Sequence, residues 1–172
     1  ASVTIGSNAG WGADGSKTLT ARVTDVAGNI GTAGGSLAVT LDTTAPSAPT
    51  NAVVVAAAAN GISAAEKTTG VAVVINLTGT NAVAGDTVEV LLGGAAFTTP
   101  VTYVLQAADI ASNSASVTIG TNAGWGADGS KTLAARVTDV AGNVGTAGGS
   151  LAVTLDTTAP TVSTIAITSA TG

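Results

Sequence analysis

The 172-residue sequence contains no cysteine, no histidine and no methionine, and only two Trp, one Tyr and one Phe. Without cysteine there are no disulfides and no thiolate metal sites. Without histidine the chain lacks the commonest general base and the commonest transition-metal ligand. Ser and Thr are plentiful but have no base beside them, and no glycine-rich phosphate loop sits between a strand and a helix, so the expectation is that the chain is not an enzyme. Basic residues are scarce: five Lys and Arg face ten Asp and Glu, a net charge of −5. Nucleic acid is therefore not an expected partner, because binding it needs a basic surface. Long hydrophobic runs are missing too. The longest, residues 52–59, is far too short to cross a bilayer, so no membrane insertion is expected in this segment.

The hydrophobic fraction is 45%, and most of it is Ala and Val. Such small side chains suit a thin two-layer sandwich better than a deep core. The sequence also repeats itself. Residues 1–46 return as 115–160 with three differences, Ser7/Thr121, Thr20/Ala134 and Ile30/Val144. A fixed period of 114 residues marks a tandem array, and one period is an ordinary size for a single domain. It sets the expected organisation: 1–46 is the C-terminal part of one repeat, 47–160 a complete repeat, and 161–172 the first strand of the next. The chain is then expected to be a piece of a longer array.

Within the complete repeat, short segments alternate Thr or Ser with Val, Leu or Ile and are punctuated by Gly, Asn, Asp and Pro, which is strand patterning. Seven strands are expected, at about 51–58, 70–77, 86–92, 101–105, 115–119, 131–138 and 150–155. A short helical turn fits between 106 and 114. Seven short, evenly spaced strands predict an all-β, immunoglobulin-like sandwich. The loop Asp139-Val-Ala-Gly-Asn143 has hairpin-loop chemistry. The stretch Asp156-Thr-Thr-Ala-Pro160, matched by Asp42-Thr-Thr-Ala-Pro46, reads as a short, stiff hinge.

Four motifs occur in order: Ala-Gly-Asp86-Thr-Val, Asp-Gly-Ser-Lys-Thr-Leu, Val-Thr-Asp-Val-Ala-Gly-Asn and Asp-Thr-Thr-Ala-Pro. Together they resemble the bacterial Ig-like tandem repeats that extend large surface adhesins and biofilm-associated proteins, including RTX adhesins. The resemblance covers essentially the whole chain. It implies a β-sandwich, an extracellular place on the bacterial surface, neighbouring repeats of the same chain as partners, and calcium at or near the junctions. An unusually Ala-rich, aromatic-poor repeat departs from that pattern and leaves room for a surface-layer or fibre-forming relative built from identical chains.

Strand direction assigns the carboxylates to poles. Asp86, Asp139 and Asn143 fall at the N-terminal pole of the complete repeat, and Asp156, Asp128 and Glu66 at its C-terminal pole. Asp25 and Asn29 are the counterparts of Asp139 and Asn143 in the first block, while Asp42 ends that block and meets the next repeat. Stacked head to tail, Asp42 would come down on Asp86, Asp139 and Asn143. Clustered carboxylates repel unless a cation neutralises them, and an all-oxygen donor set selects Ca²⁺. The candidate metal ligands are thus Asp42, Asp86, Asp139, Asn143, Asp156, Asp25 and Asn29. Each Asp has a plainer reading as a turn cap through its side chain, and this is the favoured role for Asp14 and Asp128, which precede Gly. Glu66-Lys67 reads as a solvated pair. Trp11 and Trp125, in Gly-Trp-Gly-Ala-Asp-Gly loops, could stack a sugar and make the unit a carbohydrate-binding module, or could cap the open end of the sandwich.

Overall fold

Alternating Val and Thr form a strand only where a second backbone edge is available to pair with. The computed structural model describes residues 2–6, 10–51 and 53–164, with backbone alone at 57 and 58. Its strands are β1 (Gly15–Leu19), β2 (Leu37–Leu41), β3 (Val54–Val55), β4 (Val71–Asn76), β5 (Thr87–Leu92), β6 (Ala95–Val104), β7 (Ser114–Ile119), β8 (Gly129–Thr138) and β9 (Gly148–Leu155). Two short helices, α1 (Ala64–Thr69) and α2 (Ala107–Ser112), and a 3-10 turn at Ala56–Ala59 fill the connections. No helix among the described residues is long and apolar enough to cross a membrane.

Strands β3 to β9 form two sheets, ordered β3-β4-β7 and β6-β5-β8-β9, with all neighbours antiparallel. This is an all-β, immunoglobulin-like sandwich. Between the sheets Val73, Ile75, Val88, Val90, Leu133 and Leu155 are fully buried. Alternation explains it: on β4 the sequence Val-Ala-Val-Val-Ile-Asn buries every second residue. The remaining pair, β1-β2, is a separate two-stranded hairpin.

Three details differ from the sequence expectation. The strand expected at 101–105 begins at Ala95 and pairs with β5, through a register shift at Val90/Leu91. It therefore belongs to the four-stranded sheet. The first strand, expected over 51–58, is reduced to Val54–Val55, because the alanines that follow take the 3-10 turn. That segment laces the two sheets together: Val54 pairs with Val74, while the amides of Val53 and Ile62 donate to Gly149 and Thr154 of β9, each at 2.7 Å. Lastly, Glu66 is no loose surface charge. It accepts from the Ser63 amide at 2.9 Å while the Ser63 hydroxyl accepts from the Glu66 amide at 3.3 Å, a capping box that starts α1. The spacing Ser63-Ala-Ala-Glu66 carried that signal. The helical turn expected near 106–114 is α2. Of the strand expected at 161–172, residues 161–164 form no strand, and 165–172 lie outside the described residues.

The duplication provides an internal control. Residues 116–119 pair with β4, yet their counterparts 2–5 form no strand. Likewise β8 runs to Thr138 because its second half pairs with β5, whereas β1, of the same sequence, stops at Leu19. Val117 is 4% exposed and Val3 86%. An isolated hairpin is at best marginally stable in water. Backbone amides of Lys17–Leu19 should therefore exchange with solvent at least about 100-fold faster than those of Lys131–Leu133, since local opening there costs far less than global unfolding. Peptides spanning Thr20 or Ala134 differ in mass, so hydrogen-exchange mass spectrometry reads the two copies separately. In the same spirit, Leu133→Ala should lower stability by about 2–5 kcal/mol, and Leu19→Ala by no more than about 0.5 kcal/mol, measured by chemical denaturation.

Candidate functional site

The ends of the complete repeat are where sequence repetition, charge and backbone order meet. At the N-terminal end the chain arrives through Pro46 and Pro49, both buried. It lies on a bed of three glycines. A side chain at Gly145 would strike the carbonyl oxygen of Pro46, one at Gly148 that of Pro49, and one at Gly149 that of Asn51. Close backbone approach requires glycine at these positions. The motif Gly145-Thr-Ala-Gly-Gly149 thus holds the lead-in segment as well as connecting β8 to β9. The Ser47 amide completes the seat by donating to the carbonyl of buried Thr80 at 2.8 Å.

Beside the bed, the loop Asp139–Asn143 is closed by its own side chains. The Asp139 carboxylate accepts from the Asn143 amide and from Asn143 Nδ2, both at 2.8 Å. These bonds, that from the Asn143 side chain foremost, hold the Asp139 carboxyl below the ordinary carboxylate value. Asp25 and Asn29 repeat the same bonds at 2.8 Å with the same direction of shift. The loop needs no sandwich behind it.

Asn143 also reaches outward, donating from Nδ2 to the backbone carbonyl of Asp42 at 3.0 Å. The end of the first block therefore does sit over the 139–143 loop. The 83–86 loop is at the same pole, since a Cβ on Gly85 would lie 3.2 Å from Val140 Cγ1. The side chains, however, have separate occupations. Asp42 Oδ1 accepts from the Thr44 amide at 3.1 Å, and both Asp139 oxygens are engaged by Asn143. Asp86 is 1% exposed; Oδ2 accepts from the Val83 amide at 2.8 Å, and Oδ1 has no hydrogen-bond partner. Among the described residues no three acidic side chains gather in an arrangement able to hold a metal ion. The pole is shared, and the convergent triad of carboxylates is not formed.

The C-terminal end carries a feature not anticipated from sequence. Antiparallel pairing sets Gly129 opposite Leu155, which leaves Asp128 beside the hinge. Its carboxylate accepts from the Thr157 amide at 2.8 Å, the Thr157 hydroxyl at 2.7 Å and the Thr158 hydroxyl at 3.0 Å. Asp156 Oδ1 accepts from the Thr158 amide at 3.1 Å. The first block repeats the latch: Asp14 accepts from the Thr43 amide at 3.0 Å, the Thr43 hydroxyl at 2.8 Å and the Thr44 hydroxyl at 2.7 Å. Asp14 and Asp128 therefore fasten the hinge as well as preceding a turn. Only the hairpin register, invisible in one strand's sequence, reveals it. Asp156 and Glu66 line one depression beside this latch, with Asn60, Ser63 and Thr158.

Trp125 is 1% exposed and meets Phe97 edge-on, with ring centroids 5.3 Å apart at 80°. It closes the end of the sandwich and presents no face for a sugar.

Hydrogen bonds to the charged form, led by the Thr157 hydroxyl, hold the Asp128 carboxyl below its ordinary value of 3.8. For Asp14 the Thr43 amide leads. A carboxyl depressed in the folded state stabilises it fully above the unfolded value and loses that contribution as pH falls through the folded one. The latch should thus hold down to about pH 4 and release only on further acidification. Residue-resolved NMR titration should show Asp14 and Asp128 titrating below the ordinary aspartate value of 3.8. Asp128→Asn, which removes the charge, should free residues 157–160 at neutral pH while β8 and β9 stay protected.

No family model matches the chain, and none of the curated proteins matches it. Several solved structures resemble it, among them the following three. One is from a 1.5-MDa bacterial ice-binding adhesin, described for its retention on the host cell surface, at 28% identity and a TM-score of 0.40 over 84% of this chain and 43% of the other. A second is a Ca²⁺-stabilised adhesin with which an Antarctic bacterium binds ice, at 26% identity and a TM-score of 0.43, covering 85% and 33%. The third is a bacterial immunoglobulin-like domain of the M. primoryensis ice-binding adhesin, at 25% identity and a TM-score of 0.37, covering 63% and 97%. The chain spans less than half the length of the first two. At these TM-scores the superpositions are loose, and the sandwich assignment rests on this chain's own strand order.

Proposed function

We infer that the chain is a length of structural stalk, an extender repeat of a large bacterial cell-surface adhesin or fibre, whose work is reach and stiffness. The observation that carries this reading is the joint. The five residues from Asp42 to Pro46 are fastened at their start by the Asn143 bond to Asp42 and the Asp14 latch on Thr43 and Thr44, and at their end by the glycine bed against Pro46. A linker meant to let domains tumble would be exposed and free of such bonds. The resemblance of the four sequence motifs to adhesin extender repeats supports an extracellular, surface-attached setting. The carbohydrate-binding alternative loses its platform with Trp125 buried.

Calcium is the further part of this reading. The buried Oδ1 of Asp86, without a donor, is a carboxylate oxygen whose burial a cation would compensate. Hard oxygen donors on Asp42, Asp86 and the loop carbonyls are the ligand type Ca²⁺ accepts. Bound there, the ion would neutralise this pole and tighten the seat already made by hydrogen bonds. The other candidate ligands serve the same role in this reading: Asp139 and Asn143 in the seat, Asp25 and Asn29 at the matching pole of the preceding repeat, and Asp156 at the next joint.

Calorimetric titration of the chain with Ca²⁺, paired with small-angle scattering with and without chelator, tests this. Binding heat and a longer maximum dimension with calcium are expected. Asp42→Ala should abolish the gain in length while the melting of the 47–160 sandwich stays unchanged. No heat together with chelator-independent dimensions would remove calcium from the reading, and a flexible chain under both conditions would remove the stalk.

A further inference from the structure

The hairpin β1-β2 and residues 2–6 carry, in the open, an apolar surface whose copy is buried elsewhere in the molecule. Leu37 is 61% exposed and Ile5 46%, and Val23 is 78% exposed. Their counterparts 114 residues on, Leu151, Ile119 and Val137, pack in or against the core. The covering layer there consists of β3, β4, β5 and Phe97, all within residues 47–114. The glycine bed is duplicated as well. Gly145, Gly148 and Gly149 are filled by the carbonyls of Pro46, Pro49 and Asn51, whereas a Cβ at their counterparts Gly31, Gly34 and Gly35 would meet only the hairpin's own backbone or open space. A bed and an apolar face thus stand ready together, on a segment that matches the filled version at 43 of 46 positions, the three exceptions being conservative.

We propose that residues 1–46 are an acceptor for a polypeptide of the sequence 47–114, donated by another copy of the repeat. The donor lays its β4 edge along residues 2–5, its β5 edge along residues 19–24, the counterparts of 133–138, and its proline-rich lead-in on Gly31, Gly34 and Gly35. Register is fixed in advance by the pairings Val73↔Val117 and Val90↔Ala135. The two acceptors in one chain, 1–46 and 115–160, offer a donor nearly the same surface. The proposal stands whether or not calcium binds the joint, and its test is run in chelator.

A second copy of residues 47–114 is fused directly ahead of Ala1 of the full chain, and hydrogen exchange is followed in peptides spanning Thr20 and Ala134. Protection around Lys17–Leu19 should rise at least about 100-fold, to the level of Lys131–Leu133, which in the same sample reports that 47–160 is folded. A donor carrying Val73→Asp and Val90→Asp should give no rise. As a second arm, the 47–114 polypeptide is added in trans to the Trp125→Phe chain. Trp11 emission should then shift to shorter wavelength and a one-to-one complex should form. Unchanged exchange with the fused native donor, or equal protection with the Asp-bearing donor, would overturn the proposal.

Discussion

The pairing of β5 with β8 carries the sandwich. β5 has β6 on one side and β8 on the other, and its inward residues Val88 and Val90 are completely buried. On the outward face Glu89 stands opposite Arg136, and the two form an ion pair at 2.7 Å. A partly exposed pair adds little beside the burial, but it marks the register. A slip of one residue would turn every valine of the strand outward. Once β8 is held, β9 pairs along it, the glycine bed is formed, and Trp125 has Phe97 to close upon. Where β5 is missing, along residues 20–24, nearly the same amino acids give only the short β1-β2 pairing, with Val23 and Leu37 left exposed.

That contrast separates what is local from what is not. The Asp25–Asn29 and Asp139–Asn143 loops are alike, as are the Asp14 and Asp128 latches. They are closed by side chains a few residues away or directly across a hairpin, so they form with or without a core. The strands are different: β1 and β2 are shorter than β8 and β9, and residues 2–6 are not a strand at all. Strand propensity measures fit to a half-buried surface rather than a backbone preference, and here the surface alone was changed.

The same distinction explains what the sequence could disclose. Alternation and turn residues located seven strands within residues 47–160. Strand direction placed Asp42 over the 139–143 loop, where Asn143 touches it. Alternation cannot say which strand lies beside which, so the place of β6 beside β5 is not legible in it. Nor can it say which way a carboxylate turns: Asp86 goes inward and Asp139 is satisfied by its own loop. The latch by Asp128 depends on pairing Gly129 with Leu155, a non-local register. The capping box at Ser63 and Glu66 is the exception, a purely local pattern that was legible and read as a surface pair.

Near-identity between repeats has two physical consequences that pull apart. In the proposed stalk it would make every joint the same joint, so that small stiffnesses add along the array. It also makes the halves of neighbouring sandwiches interchangeable, the condition under which identical tandem domains misassemble. Connectivity resolves the conflict. Segment 47–114 runs straight into 115–160 through α2, whose left-handed cap at Asn113 delivers the chain to β7 at once. The effective concentration of that acceptor is as high as a covalent link allows. Residues 1–46 are joined to the same donor through the prolines and the latched hinge, which hold the donor's start against the bed of its own sandwich. In the proposed stalk the joint would therefore set the spacing and also keep each half with its own partner.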